Sequence, residues 1–138
     1  MQTGFPITVT TGTDQSNTGI RTDRPNATGA AVALACGQQD PQRFFHTAAF
    51  SVEPFDMLAN VGRNTLIGPG IISFDFSVLK DFSIRERHTL EFRFEAFKLP
   101  NHPNWGIPNT NSLSLAFGKI TSTAFDMREL QFALKDIF

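Results

Sequence analysis

The chain has 138 residues and carries 12 basic and 13 acidic side chains for a formal net charge of -1, so it lacks the concentrated positive charge of a nucleic-acid partner. Charged residues make up 18%, against roughly 25% in soluble domains, while Phe occurs 15 times beside one Trp and no Tyr. That bias favours strands over helices, and a single cysteine, Cys36, excludes an internal disulfide framework or a cysteine-based zinc site.

In chain order, Phe5, Ile7 and Val9 alternate with Pro6, Thr8 and Thr10 and predict the end of a strand over residues 1–10. Pro6, which has no amide proton, suits a strand terminus. Residues 11–70 are dense in turn formers, as in Thr11-Gly12-Thr13-Asp14, Asn17-Thr18-Gly19, Arg24-Pro25-Asn26 and Gly68-Pro69-Gly70, and predict one long loop. Loops of that length are uncommon in compact soluble domains and ordinary on the outer face of a membrane barrel. The apolar run from Ala30 to Cys36 falls far short of the ~20 residues a spanning helix needs. The stretch Met1 to Pro6 shows neither the basic nor the apolar region of an export signal.

From residue 71 the pattern has period two. Ile72, Phe74, Phe76 and Val78 alternate with residues that include Ser73, Asp75 and Ser77, and Leu90, Phe92, Phe94 and Ala96 alternate with Thr89, Glu91, Arg93 and Glu95. The polar stretch Ser83 to His88 between them predicts an antiparallel hairpin over 71–97. Residues 98–127 predict a second long loop. A last strand over 128–138 places Leu130, Phe132, Leu134 and Phe138 against Gln131, Ala133, Lys135 and Ile137, with Asp136 the one polar residue in the apolar series. The fold class is therefore all-β and antiparallel.

Alternation by itself fits a soluble half-buried sheet as well as a transmembrane barrel. The even-numbered face consists almost wholly of large Phe, Leu, Ile and Val, and the opposite face carries Glu91, Arg93 and Glu95, which suits a watery lumen. The expected lipid-facing residues are Ile72, Phe74, Phe76, Val78, Leu90, Phe92, Phe94, Ala96, Leu130, Phe132, Leu134 and Phe138; the expected lumen-facing ones are Asp75, Glu91, Arg93, Glu95, Gln131 and Lys135. The competing reading is a soluble all-β binding or adhesion module, whose apolar face would need a second sheet to cover it.

Chemistry-bearing residues are sparse. His46, His88 and His102 are scattered and have no local metal-ligand spacing. Asp14 to Gly19 lacks the alternating oxygen ligands and terminal Glu of a calcium loop, and Gly62 to Gly70 lacks the Gly-Lys-Ser/Thr ending of a phosphate loop. Glu91 and Glu95 flank Arg93 as a self-neutralising ladder and not as an acid/base pair. No catalytic residue, cofactor or metal is expected, and the chain is not expected to be an enzyme.

Several segments together resemble the C-terminal region of Oar-like TonB-dependent transporters. They are Phe5-Pro6-Ile7-Thr8-Val9, Arg43-Phe44-Phe45-His46, Asn60-Val61-Gly62-Arg63-Asn64, Asp75-Phe76-Ser77-Val78-Leu79-Lys80-Asp81-Phe82, Glu91-Phe92-Arg93-Phe94-Glu95, Asn101-His102-Pro103-Asn104-Trp105-Gly106, Phe117-Gly118-Lys119-Ile120-Thr121 and Leu130-Gln131-Phe132-Ala133-Leu134-Lys135. Lys98-Leu99-Pro100 departs from the family's Asn-Leu-Phe, and an early strand end is expected there. The resemblance implies that residues 1–138 are the C-terminal part of an outer-membrane barrel, either a fragment or a truncated reading frame, with no independent activity. It implies as partners the outer-membrane lipid, the remainder of the barrel and its plug, the TonB energy-coupling complex and an unknown substrate. It further implies a periplasmic turn at 83–88, extracellular loops at 11–70 and 98–127, and a location in the bacterial outer membrane.

Overall fold

A computed structural model describes residues 1–35, 37–85 and 88–137, with the backbone alone for Arg85 and His88. Among the described residues there is no α-helix. Seven strands run in chain order: β1 (Pro6–Ile7), β2 (Asn26–Ala27), β3 (Phe50–Ser51), β4 (Leu66–Ile67), β5 (Phe76–Arg85), β6 (His88–Phe97) and β7 (Glu129–Ile137), with one 3-10 turn at Thr47–Ala49. Every strand pairing is antiparallel: β1 with β4, β2 with β3, and β5-β6-β7 in one open three-stranded sheet. Beta-branched and aromatic residues at alternate positions favour this pleated geometry over a helix.

The long strands differ in extent from their sequence-based bounds, and side chains explain one end. Residues 72–75, expected to be strand, precede β5. A side chain takes the place of a neighbouring strand at Ile72, which donates its N–H to Asn104 Oδ1 (2.8 Å) and accepts from Asn104 Nδ2 (2.9 Å), while the turn after β6 holds the rest of the segment: the Phe74 carbonyl accepts the Leu99 N–H (2.9 Å) and Asp75 Oδ1 accepts the Lys98 N–H (2.9 Å). At the other end β5 continues through Ser83 to Arg85 and β6 resumes at His88, so most of the expected polar turn is strand. Phe82 and Ile84 carry the even-numbered apolar series onward, with an irregularity in register between Ser83 and Arg85. β6 stops at Phe97 because Lys98 adopts a left-handed φ of 54° and a turn follows, closed by the Asn101 N–H donating to the Lys98 carbonyl.

The residues expected to form two loops build one packed body. Val9, Phe44, Phe45, Ala49, Phe50, Val61, Leu66 and Ile120 form a buried cluster, joined by Ile7, Val32, Trp105 and Phe117. Phe45 lies edge-on to Phe50 (5.9 Å) and Phe117 (5.2 Å), and Phe44 to Trp105 (6.5 Å), the arrangement that the ring quadrupoles prefer. Gly118 is where segment 117–120 crosses segment 44–47. Its carbonyl accepts the Phe44 N–H, its φ is +77°, and a Cβ there would stand 2.7 Å from Thr47 Cγ2, so only glycine fits. The body sits where β5 starts, β6 ends and β7 starts, opposite the β5–β6 turn. Among the described residues, the buried apolar cluster therefore lies in the turn-rich segments and outside the long sheet.

Candidate functional site

The register of the long sheet decides which side chains share a face. Opposed residues form four rows on one side: Phe76-Ala96-Leu130, Val78-Phe94-Phe132, Lys80-Phe92-Leu134 and Phe82-Leu90-Asp136. The intervening rows are Ser77-Glu95-Gln131, Leu79-Arg93-Ala133 and Asp81-Glu91-Lys135, with Ser83-Thr89-Ile137 beyond them. One face is apolar except for Lys80 and Asp136; the other is mixed and charged. Ten-residue strands rising roughly 3.3 Å per residue extend about 33 Å, enough to cross an apolar band about 25 Å tall with tilt.

Large apolar side chains on the even face lie open: Phe76 44%, Phe132 69% and Leu134 67% of their surface is accessible. No second layer covers them among the described residues. Phe94 and Phe132 meet at 4.9 Å between ring centroids. Lys80 Nζ stands 5.9 Å from the Phe82 ring, one row nearer the β5–β6 turn, so its stem can cover the apolar face while its charge is directed toward that end. Among the described residues, the opposite face holds an ion pair of Arg93 with Glu95 at 3.9 Å, with both side chains partly exposed, and a contact this open and long adds little stability.

Phe76, Val78, Leu90, Phe92, Phe94, Ala96, Leu130, Phe132 and Leu134 thus share one face, and Glu91, Arg93, Glu95, Gln131 and Lys135 the other. Ile72, Phe74 and Asp75 stand outside the sheet, in the segment leading into β5. Phe138, the expected terminal aromatic, lies outside the described residues, as do Cys36, Glu86 and Arg87. The even-numbered series read from the sequence stopped at Val78 and so left Lys80 and Phe82 out of the face; the continued parity of Phe82 and Ile84 was the available signal.

Asn104 was read only as part of a motif, and its role is architectural. Nearly buried at 5% exposure, its carboxamide pairs with both backbone groups of Ile72 as a neighbouring strand would, tying the loop body to the head of β5. Asn104→Ala should cost about 1–3 kcal/mol, because the Ile72 N–H and carbonyl lose partners in a part-buried setting. Faster amide exchange at Ile72, with exchange in the centre of β6 unchanged, would register the effect.

Within the loop body, three segments line an open cleft of about 710 Å³ whose lining includes Thr10, Thr22, Asp23, Arg24, Arg63 and Asn64. Hydrogen bonds tie the walls together. Thr8 Oγ1 accepts the Asn64 N–H (3.0 Å), the Asp23 carbonyl accepts the Thr11 N–H (2.7 Å), Asn60 Oδ1 accepts the Ala27 N–H (2.7 Å), and Asn26 Oδ1 accepts the Asn60 N–H (2.9 Å). The Asp23 carboxylate takes the Ser16 N–H (2.6 Å) and hydroxyl (2.9 Å), and the Ser16 backbone bond is the main cause holding its pKa below the ordinary value. Asp14 is likewise occupied, accepting the N–H groups of Thr18 and Gly19, which closes that loop on itself. Among the described residues no three His, Cys, Asp or Glu side chains gather as a metal site.

No helix among the described residues is long and apolar enough to cross a membrane. The antiparallel sheet, with one uncovered apolar face and long loops gathered at one end, defines the chain's class as a piece of outer-membrane β-barrel. A family model described as an outer membrane beta barrel domain matches residues 1–131, and the chain belongs to that family. Membership implies a location in the bacterial outer membrane. No curated protein and no solved structure matches the chain.

Proposed function

We propose that the chain supplies wall strands and extracellular loops to a TonB-dependent outer-membrane transporter of the Oar-like kind, taking part in substrate uptake without bond-making chemistry of its own. The observation that carries this reading is the division of the sheet into an open apolar face and a charged face, with the loop body confined to one end. Lipid then meets Phe76, Val78, Phe92, Phe94, Phe132 and Leu134, and the aqueous lumen meets Glu91, Arg93, Glu95, Gln131 and Lys135. The β5–β6 turn lies on the periplasmic side, following the habit of short inner turns and long outer loops. The sequence resemblance supports the TonB-linked part, with the plug and the rest of the barrel as partners.

Two measurements test it together. In a Cys36→Ser background, a membrane-impermeant maleimide should label Phe55→Cys, on the loop body, in intact cells, but Ser83→Cys only after the outer membrane is opened. Disrupting the cell's TonB should reproduce the phenotype of disrupting this gene. Reversed labelling overturns the orientation, and a gene phenotype that persists independently of TonB overturns the energy coupling.

A further inference from the structure

We infer that the cleft between segments 8–10, 16–24 and 58–64 binds an acidic saccharide, with Arg24 and Arg63 holding its oxyanion. Arg24 and Arg63 both line the same cavity, and neither side chain has an ion-pair or hydrogen-bond partner among the described residues. Arginine is the side chain best matched to a carboxylate, sulfate or phosphate, because its planar fork can donate two parallel hydrogen bonds. The lining's one carboxylate, Asp23, is occupied by Ser16, so it braces a wall and leaves the two arginines with a net positive balance.

The remainder of the lining argues for a hydroxyl-rich ligand over a bare anion. Thr10 and Thr22 bring hydroxyls and Asn64 a carboxamide, groups able to give and accept hydrogen bonds in turn with sugar hydroxyls. Ile20 and Leu58 stand at the cavity with 60% and 81% of their surface exposed, offering an aliphatic wall to the C–H face of a pyranose ring. At about 710 Å³ the space falls within the roughly 300–1,000 Å³ of small-molecule sites. The hydrogen bonds that join its walls hold it open in advance, which lowers the ordering cost of binding.

The inference rests on the proposed uptake role, since it assumes that the loop body meets the outside medium. The test uses the full 138-residue chain in detergent micelles, with Trp105 emission reporting an intact loop body. Calorimetric titrations compare oligogalacturonate, its methyl ester and inorganic phosphate. Oligogalacturonate should bind, and binding should weaken as salt is raised. The methyl ester and phosphate should each bind at least about tenfold more weakly, and Arg24→Ala or Arg63→Ala should cost on the order of tenfold, with Arg→Lys losing less. Because neither side chain is bonded to another described residue, these changes leave the walls intact. Equal binding of acid and ester, phosphate competing as well as the oligosaccharide, or an unaltered double variant would each overturn the site. Binding by purified chain does not depend on orientation in the cell, so its failure is distinguishable from failure of the labelling pattern.

Discussion

Replacing Phe45 with alanine is expected to destabilise the loop body by about 3–5 kcal/mol, the range for deleting a buried aromatic ring. Phe45 is 1% exposed and touches both Phe50 and Phe117 edge-on, so its removal empties the meeting point of segments far apart in sequence. Gly118 crosses at the same place, and a Cβ built on it would stand 3.7 Å from the Phe45 ring. The rigid crossing leaves little room for collapse, which places the expected cost toward the upper part of that range. Urea titration in micelles followed by Trp105 fluorescence gives the measurement, because Trp105 packs on Phe44 in the same body. Phe55→Ala is the control, with 71% of Phe55 exposed, and should stay within about 0.5 kcal/mol of the parent. A Phe45→Ala chain as stable as its parent would mean that the loop segments do not share this core.

Phe132→Arg carries the second large effect. Phe132 sits near the middle of β7, in the row Val78-Phe94-Phe132, and a cation at the midplane of a barrel's lipid face costs about 2–4 kcal/mol. Loss of its ring contact with Phe94 adds to that cost by about 0.5–1.5 kcal/mol. Gln131→Arg introduces the same charge one residue away, on the other face and opposite Glu95, and is expected to be close to neutral. Guanidinium titrations of both variants in phospholipid vesicles compare the two faces directly. Equal penalties would show that both faces meet the same medium and would remove the basis for assigning lipid to one of them.

The sheet was legible in the sequence because its determinants are local. A strand turns successive side chains to opposite faces, so Leu90 to Ala96 and Leu130 to Leu134 disclose both their conformation and their two-sidedness through parity. The ends of the strands were less legible. Asn104 pairs with Ile72 across a separation of 32 residues, and Asp75 reaches Lys98 across 23, so nothing adjacent to either partner announces that a side chain replaces a strand there. Lys80 interrupted the apolar series and concealed the continuation through Phe82.

The loop body was the least legible part. Its segments are rich in Gly, Asn, Thr and Pro, which read locally as turns, and its aromatic residues Phe44, Phe45, Phe50, Trp105 and Phe117 follow no period. The cleft has the same character, since Arg24 and Arg63, 39 residues apart in sequence, line one space through tertiary contacts such as the Asn64 N–H to Thr8 Oγ1 and Asn60 N–H to Asn26 Oδ1 bonds.

By itself, the sequence determined an antiparallel all-β chain with amphipathic final strands, because alternation is a property of neighbouring residues along the backbone. Tertiary structure alone decided that two long turn-rich segments share one aromatic core, that Asn104 stands in for a strand beside Ile72, and that two arginines distant in sequence line one cavity. Those outcomes depend on contacts between residues distant along the chain, where packing and hydrogen bonding override what each segment prefers alone.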